Sequence, residues 1–129
     1  VPQVWSAPVR FAECDQQRIV FNSHYLVWAD EAASSWWASR GVQWAELNSR
    51  GIEYLVVASS LEWRSSARYG DTVEVDAELD KLGRTSLGVR FVIRVGDRVC
   101  CEVRTTYVCT SGGSPAPWPE DVRALVSDG

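Results

Sequence analysis

The segment from Ser23 to Arg40 constrains the fold more than any other part of the chain. Tyr25, Leu26, Trp28, Ala29, Ala32, Ala33, Trp36 and Trp37 recur at helical spacing, and the polar residues Asp30, Glu31, Ser34 and Ser35 fill only a narrow arc. Asn22 or Ser23 can cap the start, and Gly41 is a natural stop. Such a helix spans roughly 27 Å. Apolar over most of its circumference, it must be wrapped by something.

The rest of the chain supplies strands to do it. Val73, Val75, Ala77 and Leu79 alternate with Glu74, Asp76, Glu78 and Asp80, which is the period of a half-buried strand. A turn at Lys81-Leu82-Gly83-Arg84 leads to a second apolar face of Leu87, Val89, Phe91, Ile93 and Val95, with Arg90 and Arg94 opposite. Gly96-Asp97 turns again into Val99, Cys101, Val103, Thr105 and Tyr107, completing an antiparallel meander. An earlier strand is predicted from about Tyr54 to Tyr69, bent near Ser59-Ser60, and a short one near Trp5 to Ala12. A short helix is expected at Gln43 to Ser49, irregular chain from Ser111 to Pro119, and one or two helical turns from Glu120 to Val126. The predicted class is α+β: residues 1–129 as one domain, with one long central helix cradled by a curved antiparallel sheet of about five strands.

Composition narrows the function. The net charge of −4 argues against a nucleic-acid partner, which needs a basic footprint. No apolar run reaches the roughly 20 residues of a membrane helix. The start, Val-Pro-Gln-Val-Trp-Ser, lacks the basic and apolar regions of a signal peptide, and with no Met in the sequence the native start has been trimmed or lies outside these 129 residues. Cys14, Cys100, Cys101 and Cys109 show no metal-ligand spacing and read as reduced thiols in the cytoplasm, with adjacent Cys100 and Cys101 on opposite faces of a strand.

Asp15 stands a few residues before the N-terminus of the buried helix. Unsatisfied N–H groups and partial positive charge at such a terminus can polarise a carbonyl while a nearby carboxylate attacks it or activates water. That is the minimum kit for acyl transfer; the alternative is a loop acid that merely complements the helix dipole. His24, the only histidine, sits in the first helical turn, where packing or hydrogen bonding competes with a catalytic role.

The run from Val9 through Ala33 resembles the hotdog-fold thioesterases of the 4-hydroxybenzoyl-CoA thioesterase type. That family shows an Asp, two variable residues, Gly, two apolar residues, an aromatic, and a helix opening with N-x-Y or a near variant. The matching residues are Asp15, Ile19-Val20-Phe21 and Tyr25-Leu26, followed by Trp28, Asp30 and Ala33. Arg68-Tyr69-Gly70-Asp71 and the prolines at 115, 117 and 119 extend the likeness to essentially the whole chain. The resemblance implies an acyl-thioester hydrolase acting on an acyl-CoA or an acyl carrier protein, with no cofactor beyond coenzyme A in the substrate. It implies Asp15 as nucleophile or general base, and a backbone N–H near Asn22 as carbonyl polariser. His24 would orient Asp15 or the substrate, and Tyr25 would bind substrate. Arg84 and Ser86, in Arg84-Thr85-Ser86, become coenzyme A contacts, and Arg64 and Arg68 secondary ones. The family's glycine is replaced by Arg18, so the loop is expected not to rely on a left-handed glycine and to point a charge at the site.

Two other readings compete. A dehydratase or hydratase on the same scaffold would carry an H-F-P or N-P-x-H run, and neither is present. A non-catalytic acyl- or polyketide-binding protein is favoured by the lost glycine and opposed by the retained Asp15. Sheet edges that want partners predict a homodimer, or a tetramer of two dimers, with the site at the dimer interface.

Overall fold

In the computed structural model, which describes residues 2–127, the apolar helix lies against a single sheet. The helix, α1, runs Ser23–Ser39, followed by Gly41 at φ 83°, a left-handed turn that suits glycine and ends the helix where expected. The strands are β1 (Gln3–Pro8), β2 (Ile52–Trp63), β3 (Thr72–Leu82), β4 (Ser86–Val95), β5 (Arg98–Ser111) and a two-residue β6 (Ser114–Pro115). All pair antiparallel in the order β1-β3-β4-β5-β2, with β6 added to β5. Two shorter helices complete the chain, α2 (Trp44–Ser49) and α3 (Glu120–Ser127).

The predicted alternation decides the two faces of the sheet. Val73, Val75, Ala77, Leu87, Val89, Phe91, Ile93, Cys101, Val103 and Tyr107 are buried on the inner face, and α1 packs on β1, β3, β4 and β5. The outer face is an ion-pair ladder: Arg94 to Asp76 at 2.9 Å, Arg90 to Glu78 at 3.0 Å, Arg104 to Asp80 at 3.1 Å. Partly exposed pairs of this kind contribute under about 1 kcal/mol each, so the inner face carries the stability. This wrapped-helix, curved-sheet arrangement is the hotdog fold.

Several boundaries differ from the sequence reading. β2 ends at Trp63, not near Tyr69, because Arg64 and Ser65 both donate their N–H groups to the Cys100 carbonyl (2.8 and 3.2 Å) and the chain turns across the strand end. Its irregularity falls between Val56 and Ala58, just before the predicted bend. β1 stops at Pro8, and a 3₁₀ turn at Phe11–Glu13 replaces its expected continuation. Gly112 and Gly113, at φ 59° and 84°, reverse the chain so that β6 pairs with β5 where no regular structure was expected. The two adjacent cysteines do not divide between faces. The β4–β5 register shifts between Ile93 and Arg94, Cys100 is the extra residue, and Cys100 and Cys101 are both buried.

Candidate active site at the N-terminus of the central helix

The chain between β1 and α1 is folded by its own backbone into a tight loop. Glu13 and Cys14 donate to the Arg10 and Phe11 carbonyls, closing the 3₁₀ turn. Asp15 then opens a five-residue turn: its N–H donates to Ile19 O at 3.0 Å, its carbonyl accepts from Arg18 N–H at 2.9 Å, and Asp15 Oδ1 accepts from Gln17 N–H at 2.8 Å. This Asx-type bond fixes the carboxylate and leaves Oδ2 without a protein donor among the described residues. The Cys14–Val20 bridge closes the loop on itself, the Ile19–Arg68 bridge stitches it to the chain leaving β2, and Val20 N–H donates to Ala67 O at 2.9 Å.

Arg18 overturns one expectation about this turn. The residue in the glycine position adopts the left-handed conformation itself, at φ 65°, and is the one non-glycine residue with positive φ among the described residues. The loop keeps the geometry a glycine would give, at the strain cost of a side chain there.

Asp15, Asn22 and Tyr25 line one cleft of about 440 Å³, together with Ile19, Val20, Phe21 and the segment Trp63 to Ser66. Asn22 occupies the cap position of α1, but its side chain caps nothing, and its backbone N–H donates to no protein group among the described residues. Tyr25 is buried, and its hydroxyl accepts from Ala67 N–H at 3.0 Å, so it is a strut for the cleft wall as well as part of the lining. Burial pushes its phenol up. His24 is half-buried in the first turn of α1, makes no side-chain hydrogen bond among the described residues, and does not line the cleft.

The remaining predicted contacts lie elsewhere in the chain. Arg84 borders a depression with Pro117 and Trp118, and Ser86 lies in a shallow groove on the outer sheet face with Gly88 and Thr106. Ser86 pairs with Val108, whereas the cleft-lining Trp63 pairs with Cys101, so along β5 they are roughly 23 Å apart at strand spacing. Within one chain the fold does not bring Arg84 or Ser86 to Asp15. Arg64 does line the cleft, but its guanidinium is engaged by Glu102 at 2.8 Å.

One residue was missed. Glu13 is 3% exposed, and its carboxylate accepts from Arg10 N–H at 2.7 Å, Trp28 Nε1–H at 2.9 Å and the Arg10 guanidinium at 3.3 Å. Its carbonyl also accepts Phe21 N–H at 2.9 Å. Burial alone would raise this carboxyl, but the bonds from Arg10 and Trp28 outweigh it and hold the group below its ordinary value. Glu13 therefore ties the Asp15 loop to the second turn of α1. No local pattern reveals it, because Trp28 stands fifteen residues away.

Comparison with known proteins agrees with this fold. A protein of Aquifex aeolicus named "Putative esterase" is 23% identical over 128 residues, 99% of this chain and 100% of that one. The crystal structure of a hypothetical protein from Thermus thermophilus superposes with a TM-score of 0.90 at 30% identity, covering 98% of each chain. A 1,4-dihydroxy-2-naphthoyl-CoA thioesterase from Synechocystis shares the fold, with a TM-score of 0.85 at 20% identity over 96% of this chain and 94% of that one. The model of the thioesterase-like superfamily matches residues 9–126, spanning the Asp15 loop, α1 and strands β2 to β6, and the chain belongs to that superfamily.

Proposed function

We propose that the chain hydrolyses acyl-CoA thioesters at the cleft between the Asp15 loop and the N-terminus of α1. The observation that carries this reading is that one cleft is lined by Asp15, whose Oδ2 has no donor, and by Asn22, whose helix-terminal N–H has no acceptor, among the described residues. Asp15 attacks the thioester carbonyl carbon, or takes a proton from the water that does. Charge developing on the carbonyl oxygen is met by Asn22 N–H and the positive end of α1. The C–S bond then breaks, the thiolate leaves and takes up a proton, and water completes release of the carboxylic acid. In the nucleophilic route that water cleaves an acyl–Asp15 anhydride; in the general-base route it has already added. The chemistry calls for no cofactor beyond the coenzyme A of the substrate. His24 has at most an indirect role.

The working unit is a homodimer or a pair of dimers. β2 is an edge strand, and Leu55, Val56 and Val57 on it are 56%, 52% and 56% exposed, an apolar run that an isolated chain would leave to aggregate. Pairing of two β2 edges would cover it, and light scattering should give a dimer or tetramer. A monomer at micromolar concentration would remove this part of the reading. All four cysteines are free, which fits the reducing cytoplasm, and no helix is long and apolar enough to cross a membrane.

The decisive assay is thiol release from a panel of aromatic, short-chain and long-chain acyl-CoAs. Turnover of at least one is expected. Tight binding with no hydrolysis of any would point instead to an acyl-binding protein.

A further inference from the structure

Beyond Trp63 the cleft wall belongs to no strand, yet Arg64, Ser65 and Ser66 all line the cleft. A segment outside regular structure keeps a fixed line only where other groups take up its polar atoms. Its downstream end is held from inside the site. There Ala67 N–H donates to the Tyr25 hydroxyl at 3.0 Å, and Ala67 O accepts Val20 N–H at 2.9 Å. Its upstream part is held from outside the site, by the first residues of β5.

Three consecutive residues supply that hold. Cys100 O accepts both Arg64 N–H and Ser65 N–H, at 2.8 and 3.2 Å. Val99 O accepts the Ser65 hydroxyl at 2.8 Å. Arg98 donates through one guanidinium nitrogen to Ser65 Oγ at 2.8 Å and to Ser66 O at 3.0 Å. Its other terminal nitrogen lies 3.8 Å from Asp71 Oδ2, an atom that also accepts Arg68 N–H at 2.8 Å. The guanidinium thus links the wall at Ser65 and Ser66 to the turn that leads into β3. The register shift that makes Cys100 the extra residue lies beside this contact, and such a bulge re-aims the backbone around it. Two parts of the clamp are backbone; Arg98 is the part a substitution can remove.

Stability does not account for it. Arg98 is 47% exposed, and a half-exposed contact of 3.8 Å to Asp71 adds little to folding. We propose that Arg98 is a positioning residue for the hydrolysis, holding Ser65 and Ser66 from behind so that the cleft wall seats the thioester against Asp15 and Asn22. Arg98 does not itself line the cleft, so it acts only through the wall. An arginine suits the task because its planar fork reaches a hydroxyl, a carbonyl and a carboxylate together. This role rests on the thioesterase reading.

The test compares Arg98→Ala with Arg104→Ala. Arg104 is also on β5 and also pairs with a carboxylate, Asp80 at 3.1 Å, but on the outer face of the sheet. In Arg98→Ala, kcat on an acyl-CoA should fall roughly 10- to 100-fold, the cost of a small displacement at the reacting centre. KM should change far less, with the thermal midpoint near that of the wild type. Guanidinium ion at low millimolar concentration should restore part of the lost rate. Arg104→Ala should keep its turnover. Unchanged kcat in Arg98→Ala would overturn the role, as would a loss of rate that follows the loss of folded protein and is not rescued. Hydrogen exchange separates this from failure of the hydrolase reading. If the wild type hydrolyses no thioester, that reading falls, and the clamp is judged by the Arg64 and Ser65 amides alone. Faster exchange there in Arg98→Ala and not in Arg104→Ala supports it; equal exchange in both overturns it.

Discussion

The two ends of α1 are built for different purposes. At the C-terminal end Trp36 and Trp37 are buried, and Trp37 is in ring contact with Trp44, Tyr54, Tyr107 and Trp118 at centroid distances of 5.2 to 6.0 Å. At the N-terminal end the helix stops against an open cleft, an uncapped Asn22, an exposed Asp15 and a strained Arg18. Aromatic packing fixes the helix at one end, and that anchorage lets the other end carry a strained turn beside an open cleft. Backbone strain can be kept at Arg18 because the scaffold elsewhere holds it there.

Substitutions at the two ends should therefore act on different observables. The largest effect is expected from Asp15→Asn, which keeps the side chain's size and removes its charge. Single-turnover hydrolysis should fall by roughly 10²–10⁴-fold, the usual worth of such a group, with the thermal midpoint nearly unchanged and substrate affinity kept. His24→Asn should cost far less. Near-normal turnover in Asp15→Asn would break the comparison at its functional end.

Trp37→Ala tests the other end. Removing the central ring of the aromatic cluster should lower unfolding free energy by about 3–5 kcal/mol, measured by urea titration, while the folded fraction retains its chemistry. If activity per folded molecule collapsed along with stability, the two ends would not be separable.

Glu13 lies between these cases, since it is structural but serves the site. Glu13→Gln leaves donors from Arg10 facing an amide and should destabilise by about 1–3 kcal/mol, with kcat lowered more than KM raised. It also carries a pH signature. The folded carboxyl titrates below its ordinary value, so the unfolded chain binds more protons, and this residue's stabilisation is complete above the unfolded value near 4.5 and is lost as pH falls through the lower folded one. The wild type should thus lose more stability than Glu13→Gln on acidification below about pH 4.5, the unfolded carboxyl value, read from denaturation midpoints.

The smallest effect should come from Arg18→Gly, which relieves the left-handed side chain. A gain of about 1 kcal/mol is expected, seen as a rise of a few degrees in thermal midpoint. A loss would mean that Arg18 is held in place by contacts that favour folding.

Much of this molecule was legible because its signals are periodic. Alternation in β3, β4 and β5 and the helical spacing of Tyr25 through Trp37 survive folding unchanged, since each strand or helix turn repeats the same burial choice. Where the reading missed, one event set the outcome: a bifurcated bond to Cys100 O ends β2, and two glycines with positive φ create β6. Asp15, Asn22 and Tyr25 could be named from a local motif and do share a cleft. Arg84 and Ser86 could be named too, but their distance from Asp15 depends on strand order, which local patterns do not encode.

The sequence by itself determined the central helix, the meander that covers it and the acid placed before its N-terminus, because those follow from side-chain period and chain order. Only the tertiary structure decided that Glu13 would be the buried anchor, that Arg18 would take a left-handed backbone, and that Arg68 would stand opposite Ile19. Each of these depends on residues distant in sequence meeting at a particular register. Register is fixed by the packing of the whole sheet against α1, which no segment can settle alone.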